Sequence, residues 1–159
     1  MTEERKRFLD RRFRDAAEQQ PDLKVLRGLL IGIGGTHLVA PLGLDPALRL
    51  LIDAGFVMAG PVERRTLKTS GCHRNVAEIW AEKRYKLVGI GTGYSLGGDG
   101  LWRPHSWGVR SEGILETTVS QMKYFGVLLQ YRDADSFAMA NSAGALAHCG
   151  SVKRNARGS

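Results

Sequence analysis

Near residue 86 the spacing of apolar side chains changes from every third or fourth residue to every second, and that switch limits the fold to few possibilities. Upstream, Thr2 can cap a helix of about 18 residues in which Leu9, Phe13 and Ala16 or Ala17 share a face, ended by Pro21. Leu23 to Ile33 is a mostly apolar run interrupted by Gly28, and it empties into a glycine turn, Gly32 to His37. Asp45-Pro46 reads as an N-cap and first helical position, leading through Leu48, Leu51 and Ile52 to a terminating Gly55. After a polar linker from Glu63 to Thr69, a helix starts at Ser70 or Gly71 with Cys72, Val76, Ile79, Trp80 and Lys83 on one stripe. Lys83, Arg84 and Lys86 mark its carbonyl end.

Downstream the pattern is that of strands: Leu87 to Tyr94, Leu101 to Val109, Ile114 to Val119 and Tyr124 to Tyr131. Gly97-Gly98-Asp99-Gly100 and Arg110-Ser111-Glu112-Gly113 supply turns between them. His105 follows Pro104, so regular pairing of its strand is expected to begin only there. Asp135 is expected to cap a last small-residue helix running through Ala147. The expected fold is therefore α+β, with N-terminal helices and the Cys72 helix packed on an antiparallel sheet. One domain spans 1–150, and 151–159 form a basic, disordered tail.

Composition removes several classes of function. At 159 residues and 43% hydrophobic, the chain can bury a core of its own. No apolar run approaches the roughly 18 residues of a membrane span, and the first 15 residues mix both signs of charge, so neither a membrane partner nor a secretory leader is expected. With two cysteines, Cys72 and Cys149, and no export signal, reduced thiols and a cytoplasmic location follow. The net charge of +7 permits nucleic acid or anionic partners. Its basic residues, however, cluster near the two ends, among Asp10 and Asp15 and in the Lys153-to-Arg157 tail, as on solvated helix faces.

Thiolate chemistry needs a sulfur favoured as its anion, an imidazole to exchange a proton, and an acceptor to orient the imidazole. Cys72 falls in a first helical turn, where unpaired N–H groups favour the thiolate, and Gly71 beside it leaves room for a substrate. If Arg110-Ser111 is the turn of the hairpin, His105 faces Glu116. With a four-residue loop it faces Thr118 and has Glu116 as a diagonal neighbour on the same side, and a three-residue loop turns Glu116 away.

The order of these residues resembles papain-like cysteine enzymes, and more closely their transglutaminase-like branch. The matching elements are Ser70-Gly71-Cys72, Thr92-Gly93-Tyr94, His105-Ser106-Trp107 and Leu115-Glu116-Thr117-Thr118, within Ser70 to Thr118. Glu116 stands where that branch usually has Asp, and Gly108 where an acidic residue often sits. The resemblance implies Cys72 as nucleophile, His105 as general base and then acid, and Glu116 as orienting acceptor in acyl transfer through a thioester. A peptide, protein or small amide or ester would be the substrate, and no cofactor is needed. Tyr94, Trp102 and Trp107, with Gly71, would border the cleft, although core packing explains the aromatic residues equally well.

Two other readings compete. Cys72, His73 and His105 could bind a metal, but adjacent helical residues point about 100° apart and no Cys-x-x-Cys or His-x-x-x-His pair occurs, so no metal is expected. His148-Cys149 fails in the same way, and His37 reads as a loop histidine. The glycine turn before it lacks the Gly-Lys-Ser/Thr ending of a phosphate loop, and Pro41 blocks an immediate helix. The alternative to an enzyme is a non-catalytic module that binds peptides or nucleic acid through its basic surface.

Overall fold

A computed structural model of the chain describes residues 1–68 and 71–142. They form an α+β fold of five helices and seven strands. Two compact units are distinguished, each assembled from separated stretches of chain. The first comprises Met1–Gly60, Gly91–Ser106 and Ser120–Val127, and the second Pro61–Ile90, Trp107–Val119 and Leu128–Ser159.

In the first unit, α1 (Glu3–Gln19) starts where expected: the Thr2 hydroxyl accepts from the Arg5 N–H at 3.3 Å, and Glu3 and Glu4 occupy the first turn. Leu9, Phe13 and Ala17 are its buried stripe. The run after Pro21 is a second helix, α2 (Leu23–Ile33), which Gly28 does not interrupt. Leu23, Leu26 and Leu30 at helical spacing are buried, and that apolar face offsets the weak propensity of a glycine. The glycine turn is held from outside. Trp102 Nε1 donates to the Gly34 carbonyl at 2.7 Å and Lys123 Nζ to the Ile33 carbonyl at 2.6 Å, so a lysine satisfies the helix end. Beyond the turn, β1 (His37–Leu38) runs parallel to Leu101 and Trp102.

Asp45 caps a turn rather than a helix. Its Oδ1 accepts from the Ala47 N–H at 2.9 Å, and α3 (Leu48–Ala54) begins three residues after it, ending at Gly55 as expected. The Gln20 side chain both donates to the Asp45 carbonyl and accepts from the Asp45 N–H, which fixes that turn against the end of α1. A short strand that the sequence did not announce, β2 (Phe56–Met58), then pairs antiparallel with Tyr124 to Gly126.

The second unit begins with another, β3 (Val62–Arg64), in what was expected to be linker. It pairs parallel with β6 (Gly113–Glu116), and Glu63 is ion-paired to both Arg65 and Arg110. The hydrogen bond from Arg65, with the Arg110 guanidinium, holds the Glu63 carboxyl below its usual range. Gly113 has φ +142, and a Cβ there would run into the Pro61 carbonyl oxygen, so only glycine lets this edge close. The helix α4 (Cys72–Ala81) packs against α5 (Tyr131–Asn141). Val76, Ile90 and Ala134 form their shared core, flanked by Trp80, Leu87, Leu129 and Phe137. Full burial of each Val or Ile side chain contributes roughly 1.5–3 kcal/mol. α5 starts four residues before Asp135, which is therefore not its cap, and the expected continuation to Ala147 lies outside the described residues, as do Ser70, Cys149 and the 151–159 tail.

Three strands contribute to both units: β4 (Gly89–Leu96), β5 (Leu101–Arg110) and β7 (Lys123–Leu129). The strand order is β2-β7-β4-β5-β6-β3, with β1 also on β5. The sheet is thus only partly antiparallel, because β1 and β3 both run parallel to their partners, and it is not a simple meander, because β7 lies beside β4. Nor does β5 wait for His105 to begin. It is paired with β1 at Leu101 and Trp102 and with β6 from Gly108, and Pro104, which has no N–H to give, falls between those stretches. No helix among the described residues is long and apolar enough to cross a membrane.

Candidate functional site

In the second unit, the start of α4 is fixed by one buried amide. Gly71 is the N-cap, and no side chain caps the helix; Cys72 is its first residue and is half-buried. Asn75, only 3% exposed, donates from Nδ2 to the Lys68 carbonyl at 2.9 Å and to the Thr117 carbonyl at 3.3 Å, while its N–H closes onto the Gly71 carbonyl at 2.7 Å. The first turn of α4 is thereby tied both to the loop before it and to the segment after β6. A side chain at Gly71 would meet the Lys68 carbonyl at 3.3 Å and Asn75 Oδ1 at 3.4 Å, tighter than ordinary packing.

That segment after β6 carries Glu116, which is fully buried. A carboxylate without water must find donors in the protein. Glu116 Oε1 accepts from the Thr118 N–H at 2.7 Å and from the Thr118 hydroxyl at 2.9 Å. The backbone is held as firmly: Arg65 N–H donates to the Glu116 carbonyl and Leu67 N–H to the Thr117 carbonyl. β6 stops at Glu116 and does not continue to Val119, since these side-chain and loop hydrogen bonds replace the ladder. Thr117 Oγ1, by contrast, is buried without a hydrogen-bond partner.

The β5–β6 register pairs Gly108 with Leu115, Val109 with Ile114 and Arg110 with Gly113, leaving Ser111 and Glu112 as the turn. This is the pairing expected of the four-residue loop, closed by one further pair at Arg110 and Gly113. The three-residue alternative, which would have reversed the face of Glu116, does not occur.

The first unit holds His105, Tyr94 and Trp102. His105 is 5% exposed, with its ring centroid 6.3 Å from that of Tyr124, and the neighbouring Ser106 hydroxyl donates to Thr92 Oγ1 at 2.8 Å. Tyr94 is fully buried and its hydroxyl donates to Asp45 Oδ2 at 3.3 Å. Burial, reinforced by that carboxylate, pushes the Tyr94 phenol far above its usual range. Trp102 is fully buried beneath the end of α2, and Trp107, in the second unit, is fully buried as well. All three aromatic side chains expected to border a cleft are therefore enclosed in packing.

Of two polar residues in this arrangement, Asn75 goes unnoticed in the sequence, and Thr118 is read there only as a residue facing His105 and not as the partner that holds Glu116. Their signals were local, an amide three residues after the cysteine and a hydroxyl two residues after the glutamate. No group of three or more His, Cys, Asp or Glu side chains able to hold a metal occurs among the described residues. Set against known proteins, the chain matches no family model, no curated protein and no solved structure.

Proposed function

We propose that the chain is a cysteine-nucleophile acyl-transfer enzyme, acting on an amide or ester in the cytoplasm, with Cys72 as nucleophile, His105 as general base and Glu116 as the acceptor that orients it. The observation carrying this reading is the place of Cys72 as the first residue of a ten-residue helix capped by Gly71 alone. The sulfur thus sits at the positive end of the helix dipole, where a negative charge is favoured. Two further features support it. Thr118 fixes one oxygen of the buried Glu116 carboxylate through two hydrogen bonds, as an orienting group requires, and the hairpin register keeps the parity on which the reading depends.

The chemistry runs in two steps. His105 takes the thiol proton as sulfur bonds to the carbonyl carbon, and returns it to the departing amine or alcohol as the thioester forms. Water or an amine then attacks the thioester, again losing its proton to His105, and the thiol is restored. No cofactor enters.

The test is the pH profile of Cys72 alkylation, mapped by peptide mass, with Cys149 as internal control. Labelling should reach its plateau well below the ordinary thiol value of about 8.5. In His105→Ala that plateau should shift or vanish, and in Glu116→Ala it should shift by less. A Cys72 that labels only on unfolding, or like Cys149 in every variant, ends the reading.

A further inference from the structure

The other end of α4 carries a second candidate site, entirely within the second unit. The helix closes with the Lys83 N–H on the Trp80 carbonyl and the Arg84 N–H on the Ile79 carbonyl, both at 3.0 Å, an ending that calls for a left-handed residue. Glycine normally fills that place, but here it is Lys83, with φ 52. Tyr85 and Lys86 follow at φ 58 and 52, so three of the four non-glycine residues with positive φ among those described fall within four positions. Side chains strain such a backbone, and strain of this kind gathers where a binding surface is built.

The turn borders a half-open cavity of about 420 Å³, lined by Trp80, Ala81, Lys83, Arg84, Lys86, Leu87 and Asp135. That is room for one small organic ligand. Its chemistry is divided. Trp80 and Leu87, which pack against the Val76, Ile90 and Ala134 core, supply the large apolar side chains of the lining. The rim is cationic: Arg84 is paired with Glu82 at 2.6 Å, whereas Lys83 and Lys86 make no ion pair among the described residues. Asp135 is the single carboxylate of the lining; its Oδ1 accepts from Trp80 Nε1 at 2.8 Å, which leaves Oδ2 as an acceptor.

We infer that this cavity binds a nucleoside phosphate, its base stacked on the Trp80 indole, its phosphate between the Lys83 and Lys86 ammonium groups. Asp135 Oδ2 accepts from an amino group of the base or a ribose hydroxyl. A bare phosphate would have no use for the indole, and an uncharged aromatic none for the two unpaired cations. The site does not depend on the acyl-transfer reading.

The test exploits an accident of composition. Of the three tryptophans, Trp102 and Trp107 are fully buried, so quenching of intrinsic fluorescence by a small ligand reports on Trp80. The full chain is titrated with AMP, and in parallel with adenosine, inorganic phosphate and a short oligoadenylate, with calorimetry alongside. Saturable quenching by AMP is expected, about tenfold weaker with adenosine and about tenfold weaker in a Lys83→Gly/Lys86→Gly variant. Glycine is chosen because it relaxes the positive φ at both positions, and a thermal melt of the variant matching wild type separates lost binding from lost folding. Added salt should weaken AMP binding. No saturable quenching by AMP up to about 5 mM, or equal affinity in the glycine variant, overturns the inference. So does binding of the oligoadenylate without AMP, which would assign the face to single-stranded nucleic acid instead.

Discussion

A single buried amide shows how much of the candidate site rests on residues that carry no chemistry of their own. Asn75 Nδ2 satisfies two backbone carbonyls, those of Lys68 and Thr117, and its side chain is shut away from water. Asn75→Ala removes one hydrogen bond from each of two carbonyls that keep a second donor, the Leu67 N–H on Thr117 and the Gly71 N–H on Lys68, which costs about 1–2 kcal/mol. Asn75→Asp should cost more, although an acidic residue in a first helical turn is ordinarily favourable. A carboxylate would face the same two carbonyl oxygens with no proton to offer either. The two variants, compared by urea denaturation at pH 7, should rank wild type, then alanine, then aspartate; a more stable aspartate variant would mean that the helix dipole outweighs the lost donors. The sequence reading found Cys72 and Glu116 because such residue types stand out in a chain. It missed Asn75 because a buried amide looks like any exposed one until its partners, 7 and 42 residues away, are known.

At the level of elements, what could be read was whatever local chemistry decides. The β4–β5 hairpin was legible in Gly97 to Gly100, and the structure adds the lock that closes it. Arg103 makes a two-pronged pair with Asp99, Nη1 to Oδ1 at 2.9 Å and Nη2 to Oδ2 at 2.6 Å, while Asp99 Oδ1 also accepts from the Leu101 N–H at 3.3 Å. The Arg103 hydrogen bonds, outweighing partial burial, lower the Asp99 carboxyl to about 2. A carboxylate depressed in the folded state stabilises it above its unfolded value of about 3.9, and the contribution fades as pH falls through about 2. Asp99→Asn should therefore lower stability at pH 7 by about 0.5–1 kcal/mol, a figure reduced for the solvent around this half-exposed pair, and the deficit should shrink between about pH 4 and pH 2. Thermal melts of both proteins across that range check it; a deficit that stays constant or grows on acidification would contradict the pairing. Where an element is decided by distant partners, the sequence was silent. The strands β2 and β3 have three residues each, too few for a period of two to register, and exist through β7 and β6.

For the molecule as a whole, the α+β class followed from the order of helices and strands, but its wiring did not. The chain passes between the two compact units at residues 60, 90, 106, 119 and 127, so neither unit is a continuous segment. Short parallel pairings do part of this wiring: β1 reaches Leu101 and Trp102, more than 60 residues onward, and no local pattern encodes such a partner. A consequence can be measured. A fragment of residues 1–60 retains α1, α2, α3, β1 and β2 yet loses every strand partner of the last two, the Trp102 and Lys123 caps on α2, and the Tyr94 bond to Asp45. Its second and third helices have 11 and 7 residues, below the roughly 12–15 at which isolated helices become even marginal in water. The fragment should show narrow amide dispersion by NMR and lose its residual helicity without a cooperative melt. Adding residues 91–127 in trans should restore little, because Trp107 to Val119 within that piece belong to the other unit and would lack their partners. A dispersed spectrum and a sharp thermal transition for 1–60 alone would instead mean that its leucines, Leu23, Leu26, Leu30, Leu48 and Leu51, already make a sufficient core among themselves.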